Sequence, residues 1–291
     1  LCPDSVFNSR HGGGIARARV VSFAVDPAWG FRDALKRYYA LFPAAFERRA
    51  TKDGLWIPFA DPAGVEGLSD FGIAYHEGDN SVASDDRLGI LSFRYTEPMT
   101  WWMPMASEIP RTYDAALRLL NEYRTGKNAE YRALAECVVN SGSYDEQGRF
   151  NVEFQNAPWT NGAVWVLNPN PAMPAPAGEA TKASMTFSPD VVARLYGSKS
   201  DGTLDGEYLD SLEGGAYVLD YRRESLRYSR LPLTFTVDDL RPVVPTWFSV
   251  YELARHMRSE LVSRGKLLMA NATPWRIHAI APLLDVMGTE T

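Results

Sequence analysis

The sequence predicts an α/β fold, a (β/α)8-type barrel that is incomplete, with about six strands and long strand-end loops. Three observations predict it. Short apolar runs of strand length alternate with amphipathic runs of helix length. No internal repeat at spacings of about 20–50 residues competes with that alternation. Polar or aromatic clusters follow the strands, at Phe59-Ala60-Asp61, His76-Glu77-Gly78-Asp79, Asn168-Pro169-Asn170, Asp210-Ser211-Leu212-Glu213 and Glu290. In a barrel, the loops after the strands build the active site.

The elements follow in order. Residues 18–25 (ARVVSFAV) read as a strand, and 31–42 as a helix with Phe31, Leu35, Tyr38, Tyr39 and Phe42 on one face. Residues 54–60 form an apolar strand closed by Asp61-Pro62. Strands at 71–76 and 89–96 flank an acidic loop. A helix over 112–124 is capped by Thr112, with Asp114 in its first turn. Within 135–156, Asp145-Glu146-Gln147-Gly148 reads as a turn between a Ser/Tyr-rich and a Phe/Val-rich extended piece. Residues 163–167 (AVWVL) read as a buried strand, and Asn168 to Gly178 as a proline-rich loop. Ser188-Pro189-Asp190 opens a helix that ends at Gly197. Residues 206–212 read as strand and loop. Ser249 to Glu252 has the pattern of a capping box, opening a helix that runs to Arg264 before Gly265. Strands at 266–270 and 283–288 complete the set.

At roughly 150 residues per domain, 291 residues allow two domains or one large one. The pattern divides them into residues 1–48, a remnant of a preceding β domain with its linker helix, and 49–291, a partial catalytic barrel. The chain starts at Leu1 and stops directly after an apolar run. It is therefore expected to be a piece of a longer protein, completed by a further C-terminal segment or by another chain. Thirty Lys and Arg against 36 Asp and Glu leave a net charge of −6, which argues against nucleic-acid binding. No uncharged apolar run reaches the ~18 residues of a membrane span. Cys2 and Cys137 can pair once or stay free, and cannot make a disulfide scaffold.

The sharpest cluster runs from Asp205 to Glu213. Alternate residues of a strand share a face. Tyr208 and Asp210 therefore point together into the barrel mouth, while Leu209 faces the helices. Asp210 ends a strand, where a catalytic carboxylate belongs, and Glu290 ends the last one. Two carboxylates on opposing strand ends are what glycosidic cleavage needs. Asp285 and Glu213 compete with Glu290, although Asp285 should sit lower and face the other way. His76 and Glu77 make a polar knot suited to sugar hydroxyls or plain solvation, with no second histidine spaced for a metal. Trp101 and Trp102, with Trp56, Trp165 and Trp275, offer rings on which sugar C–H faces stack, although core packing is the commoner role of each alone. Asn168, Asn271 and Arg276 add amide and guanidinium groups, and Arg276 could meet a substrate carboxylate or hold a catalytic one. Gly12-Gly13-Gly14 lacks the spacing of a nucleotide loop, and no nucleophile elbow occurs. No metal or cofactor is expected.

At Asp205–Glu213 and Lys266–Glu290 the chain resembles bacterial (β/α)-barrel glycoside hydrolases distantly related to α-galactosidases and endo-α-N-acetylgalactosaminidases. The resemblance covers residues 50–291. It implies a nucleophilic Asp at the end of strand four, matched by Asp210 when 54–60, 71–76 (or 89–96), 163–167 and 206–210 are counted as strands one to four. It implies an acid/base at the end of strand six, matched by Glu290 where that family often has Asp. The expected function is that of a retaining glycosidase acting on an oligosaccharide or polysaccharide outside the cell. The alternatives are a non-catalytic carbohydrate-binding or structural subunit, and a polysaccharide lyase using Tyr208 or His76 with Arg276.

Overall fold

Six parallel strands form the central sheet of the computed structural model, which describes residues 5–6, 15–16, 20–197, 202–212, 219–232, 234–271 and 277–288. In chain order, helix α1 (Phe31–Leu41) precedes strands β1 (Leu55–Pro58) and β2 (Ile73–Glu77). Helix α2 (Val82–Leu88) then leads to β3 (Leu91–Thr96). An inserted unit follows, with β4 (Thr100–Pro104), α3 (Tyr113–Thr125), α4 (Ala129–Ser141), β5 (Val152–Ala157), β6 (Thr160–Val166), α5 (Lys182–Thr186) and α6 (Pro189–Tyr196). The chain returns to the central sheet as β7 (Gly206–Leu209). It then runs through α7 (Arg223–Tyr228) and α8 (Thr246–Ser263) to β8 (Leu267–Asn271) and β9 (Val286–Gly288).

The spatial order is β9-β8-β7-β3-β2-β1, so each strand is added on the same side of its predecessor. A doubly wound sheet would reverse at a switch point. This sheet does not reverse, and it curls as an incomplete barrel. Tyr75, Phe93, Tyr208 and Met269 fill the concave face, with Trp56, Tyr95 and Val286 packed around them. A Cβ placed on Gly288 would stand 3.1 Å from the Trp56 ring, so the indole of the first strand reaches the sixth across the interior. A larger residue there would press on the indole, which would have to give by a few tenths of an ångström. On the convex face, Leu209, Leu268 and Ala270 pack with Val250, Leu253, Met257 and Leu261 of α8. Burial on both faces is the usual condition of parallel strands.

At the lower end of the sheet, Asp285 receives the Leu268 amide at 2.8 Å, and Arg49 and Arg258 at 2.9 and 3.3 Å. Its side chain is fully buried, and it clamps the start of β9 to the segment that enters β1. These contacts lie at the end of the sheet away from Asp210.

Three features differ from the sequence expectation. Residues 163–167 are not a barrel strand. They belong to β6, the centre of a three-stranded antiparallel sheet ordered β4-β6-β5. Val164 and Val166 are buried on one face, and Ala163 and Trp165 on the other. The run therefore reads as continuously apolar, like a parallel strand. Both 73–77 and 91–96 are barrel strands instead, so the strand that carries Asp210 is still the fourth. Ser249 to Glu252 is not a capping box. Helix α8 starts at Thr246, the Ser249 hydroxyl donates to the Thr246 carbonyl at 2.6 Å, and Glu252 accepts from the Arg230 amide and the Asn170 side chain. Residues 20–25 form no strand, and α1 buries none of its residues; Tyr38, Tyr39, Phe42 and Phe46 touch one another.

Candidate active site

The upper ends of the strands bring together Trp56 and Phe59 from the first, Glu77 from the second and Tyr95 and Glu97 from the third. The fourth adds Asp210 and Ser211, and the fifth adds Asn271. Period two decides which side chains take part. Tyr95 and Tyr208 are register partners, and their rings stack at 5.9 Å on the concave face. Asp210, two residues beyond Tyr208, takes the same side and accepts the Tyr95 hydroxyl at 2.6 Å. Burial, with Asp210, Glu97 and Glu77 close by, holds the Tyr95 phenol above its usual range. It stays protonated and donates to the carboxylate.

Beyond Asp210 the backbone is strained. Ser211 has φ 50° and Phe59 φ 55°, both in the left-handed region that costs a non-glycine residue about 1–3 kcal/mol. The Ser211 turn aims its amide at two acceptors, Asp210 Oδ1 at 2.7 Å and Asn271 Oδ1 at 3.0 Å. The Phe59 turn sets its ring edge-on to Tyr95 at 5.0 Å. Trp56 Nε1 donates to Glu77 at 3.1 Å, which orients a second carboxyl, this one buried.

A third carboxyl closes the site. Glu97 accepts from the Thr100 amide at 3.2 Å and the Thr100 hydroxyl at 2.7 Å, and the half-buried Lys182 donates to the Thr100 carbonyl at 2.8 Å. Burial raises the Glu97 pKa, with Lys182 pulling it down and Asp210 adding to the rise. Glu97 and Ser211 line a cleft of about 180 Å³ whose far wall is Trp102, Glu153, Gln155, Val164 and Val166 of the inserted sheet. Sequence reasoning missed Glu97 and Tyr95. Glu97 carried one signal, a carboxyl directly after a strand and before Pro98.

The predicted site residues separate into groups. Tyr208, Asp210, Glu77 and Asn271 come from the upper ends of adjacent strands, and Trp102 lines the cleft opposite Glu97 and Ser211. His76 is turned outward, because its neighbour Glu77 takes the concave face. It is fully buried against α2, with Nδ1 2.7 Å from Asp85. Trp101 is buried against Tyr123 and Tyr131 in the core under α3 and α4. Asn168 is buried behind the inserted sheet, where its carbonyl oxygen accepts the Asn170 amide at 2.9 Å and its amide group reaches Asp220. Glu213, Trp275, Arg276 and Glu290 lie outside the described residues.

Among the described residues no group of three or more His, Cys, Asp or Glu could hold a metal, and no helix is long and apolar enough to cross a membrane. Cys137 is buried in α4 with its thiol pushed up to about 12 by burial, which keeps it inert.

The buried carboxyls fix the pH response. Asp85, Glu97, Asp205 and Glu207 are all held above the usual carboxyl range, first by burial. The folded chain then binds their protons more tightly than the unfolded chain. The stability they confer is full below the ordinary carboxyl value of about 4 and is lost as pH rises through the raised values. The urea midpoint is expected to fall as pH is raised from about 5 to about 8. A midpoint that climbs over that interval would contradict this assignment.

No family model matches the chain, and no curated protein matches it. Among solved structures, the α-N-acetylgalactosaminidase NagBb from Bifidobacterium bifidum, in complex with GalNAc, is similar at 12% identity and a TM-score of 0.33. That likeness covers 96% of this chain and 34% of NagBb, so the chain spans about a third of that enzyme's length.

Proposed function

We propose that the chain carries the strand-four portion of a glycoside-hydrolase active site of the retaining kind, with Asp210 as nucleophile and Glu290 as acid/base. The observation that carries the reading is the setting of Asp210. It ends the fourth strand of a parallel, barrel-type sheet on the concave face, is held by the Tyr95 hydroxyl and the Ser211 amide, and adjoins an aromatic-walled cleft. A carboxylate fixed by two donors at an open strand end is oriented for attack on an anomeric carbon.

In the first step one Asp210 oxygen bonds to the anomeric carbon while the glycosidic C–O bond breaks. The leaving oxygen takes the Glu290 proton. In the second step water attacks the same carbon, its proton passes to Glu290, and the Asp210 carboxylate is released. Glu77 and Asn271, with the rings of Trp56, Phe59 and Tyr95, bound the space for the sugar. Tyr208 supports that space from below through its stack on Tyr95. The substrate class is an oligosaccharide or polysaccharide.

The test is stereochemical. Proton NMR of the sugar first released by the complete protein is expected to show the anomeric configuration of the substrate. Initial release of the opposite anomer would contradict a covalent role for Asp210.

A further inference from the structure

The inserted antiparallel sheet has two faces, and its own helices cover only one. Trp101, Met103, Ala163 and Trp165 pack against α3 and α4. Their alternates Trp102, Val164 and Val166, with Glu153 and Gln155, form the wall of the cleft over the strand ends. We propose that this second face is a pyranose-binding subsite, with Trp102 and Trp159 as its ring platform, holding the sugar next to the one whose bond is cleaved. The proposal rests on the glycosidase reading of Asp210 and names the substrate class more narrowly. The substrate would carry a second ring beyond the scissile bond, rather than being a simple glycoside of a small alcohol.

Three observations carry it. First, Trp159 is 71% exposed at the β5–β6 turn, and its ring meets Trp102 edge-on at 5.7 Å. An exposed tryptophan held in place by a second indole is an apolar surface that no described part of the chain covers. Pyranose rings present flat C–H faces that match such a surface. Second, Glu153 and Gln155 stand on the same face, offering acceptors and an amide donor to the ring hydroxyls. Third, the cleft is continuous with the chemistry. Ser211, whose amide is bonded to Asp210, and Glu97 line its other wall. Its volume of about 180 Å³ is below the roughly 300 Å³ at which drug-sized sites begin, so it suits one ring rather than a long chain.

The experiment uses the full chain with Asp210→Asn, fluorescently labelled, on a printed array of oligosaccharides that spans hexose, N-acetylhexosamine and uronic acid linkages. Binding is expected. Adding Trp159→Ala, which removes an exposed side chain and leaves the core intact, is expected to weaken binding to the best array ligand by at least about tenfold. Adding Trp102→Ala is expected to do the same, and Trp102→Phe, which keeps a ring, to stay within about threefold. Affinity unchanged in both alanine variants would overturn the platform, and so would a chain that binds no oligosaccharide on the array. The two readings fail separately. Turnover that survives Asp210→Asn would remove the nucleophile and leave the binding result standing.

Discussion

Asp210→Asn in the complete protein is expected to lower glycoside hydrolysis by at least about a thousandfold, about 4 kcal/mol of transition-state stabilisation. The substitution is nearly isosteric. It keeps Oδ1 to accept the Ser211 amide, and the NH2 that replaces Oδ2 can donate to the Tyr95 hydroxyl oxygen once that hydroxyl rotates, so the fold and the strained turn at Ser211 should survive. What is lost is the charge and the nucleophilic oxygen. The effect should therefore fall on kcat, with the folded fraction unchanged by circular dichroism. Activity within a few-fold of the parent would mean that another group attacks the sugar.

The second large effect concerns a residue three positions earlier that points the other way. Glu207 faces the convex side of β7, where Arg94 binds it at 2.6 Å and the Tyr196 hydroxyl donates at 2.8 Å. Its side chain is fully buried, and Arg94 is nearly so. Glu207→Ala leaves a guanidinium buried without its counter-charge, a defect that costs about 3–5 kcal/mol. With an unfolding entropy of about 2.1 cal/mol/K per residue, that lowers the thermal midpoint of a chain of this length by roughly 5–8 °C. The folded fraction should keep its turnover, because Glu207 lies on the far side of the sheet from Asp210. A midpoint within a degree or two of the parent would show that the pair contributes little. The contrast between a mutation that removes activity with little effect on folding, and its neighbour that does the reverse, follows from the two-residue period of one strand.

That period also explains what was legible in the sequence. The alternation of strand and helix segments revealed a parallel sheet with Asp210 at a strand end, and Tyr208 inward with Leu209 outward; the count of four holds because 73–77 and 91–96 both join the sheet in place of 163–167. It did not reveal which of two adjacent polar residues would face the site. His76 and Glu77 cannot both point inward, nor can Trp101 and Trp102 share a face. Register against the neighbouring strands decided for Glu77 and Trp102. Register depends on partners remote in sequence, so local pattern is silent about it. The inserted unit was hidden for a related reason. With buried side chains on both faces, β6 resembles a central parallel strand, and the local pattern of β4 shows little beyond a pair of adjacent tryptophans. Glu97 belongs to the site because the insertion folds back over the strand ends, a fact of tertiary structure alone. The capping pattern at Ser249 is a case where tertiary partners used the residues differently, Glu252 being held by Arg230 and Asn170.

The role of Asp210 is tested most directly by chemical rescue. Asp210→Ala in the complete protein should be nearly inactive on an aryl glycoside with a good leaving group. Added azide can enter the space left by the carboxylate and attack the anomeric carbon in its place. The expected result is a recovered rate that saturates with azide, together with a glycosyl azide whose anomeric configuration is opposite to that of the substrate. An Asp210→Ala chain that hydrolyses the substrate at the parent rate without azide would contradict the account.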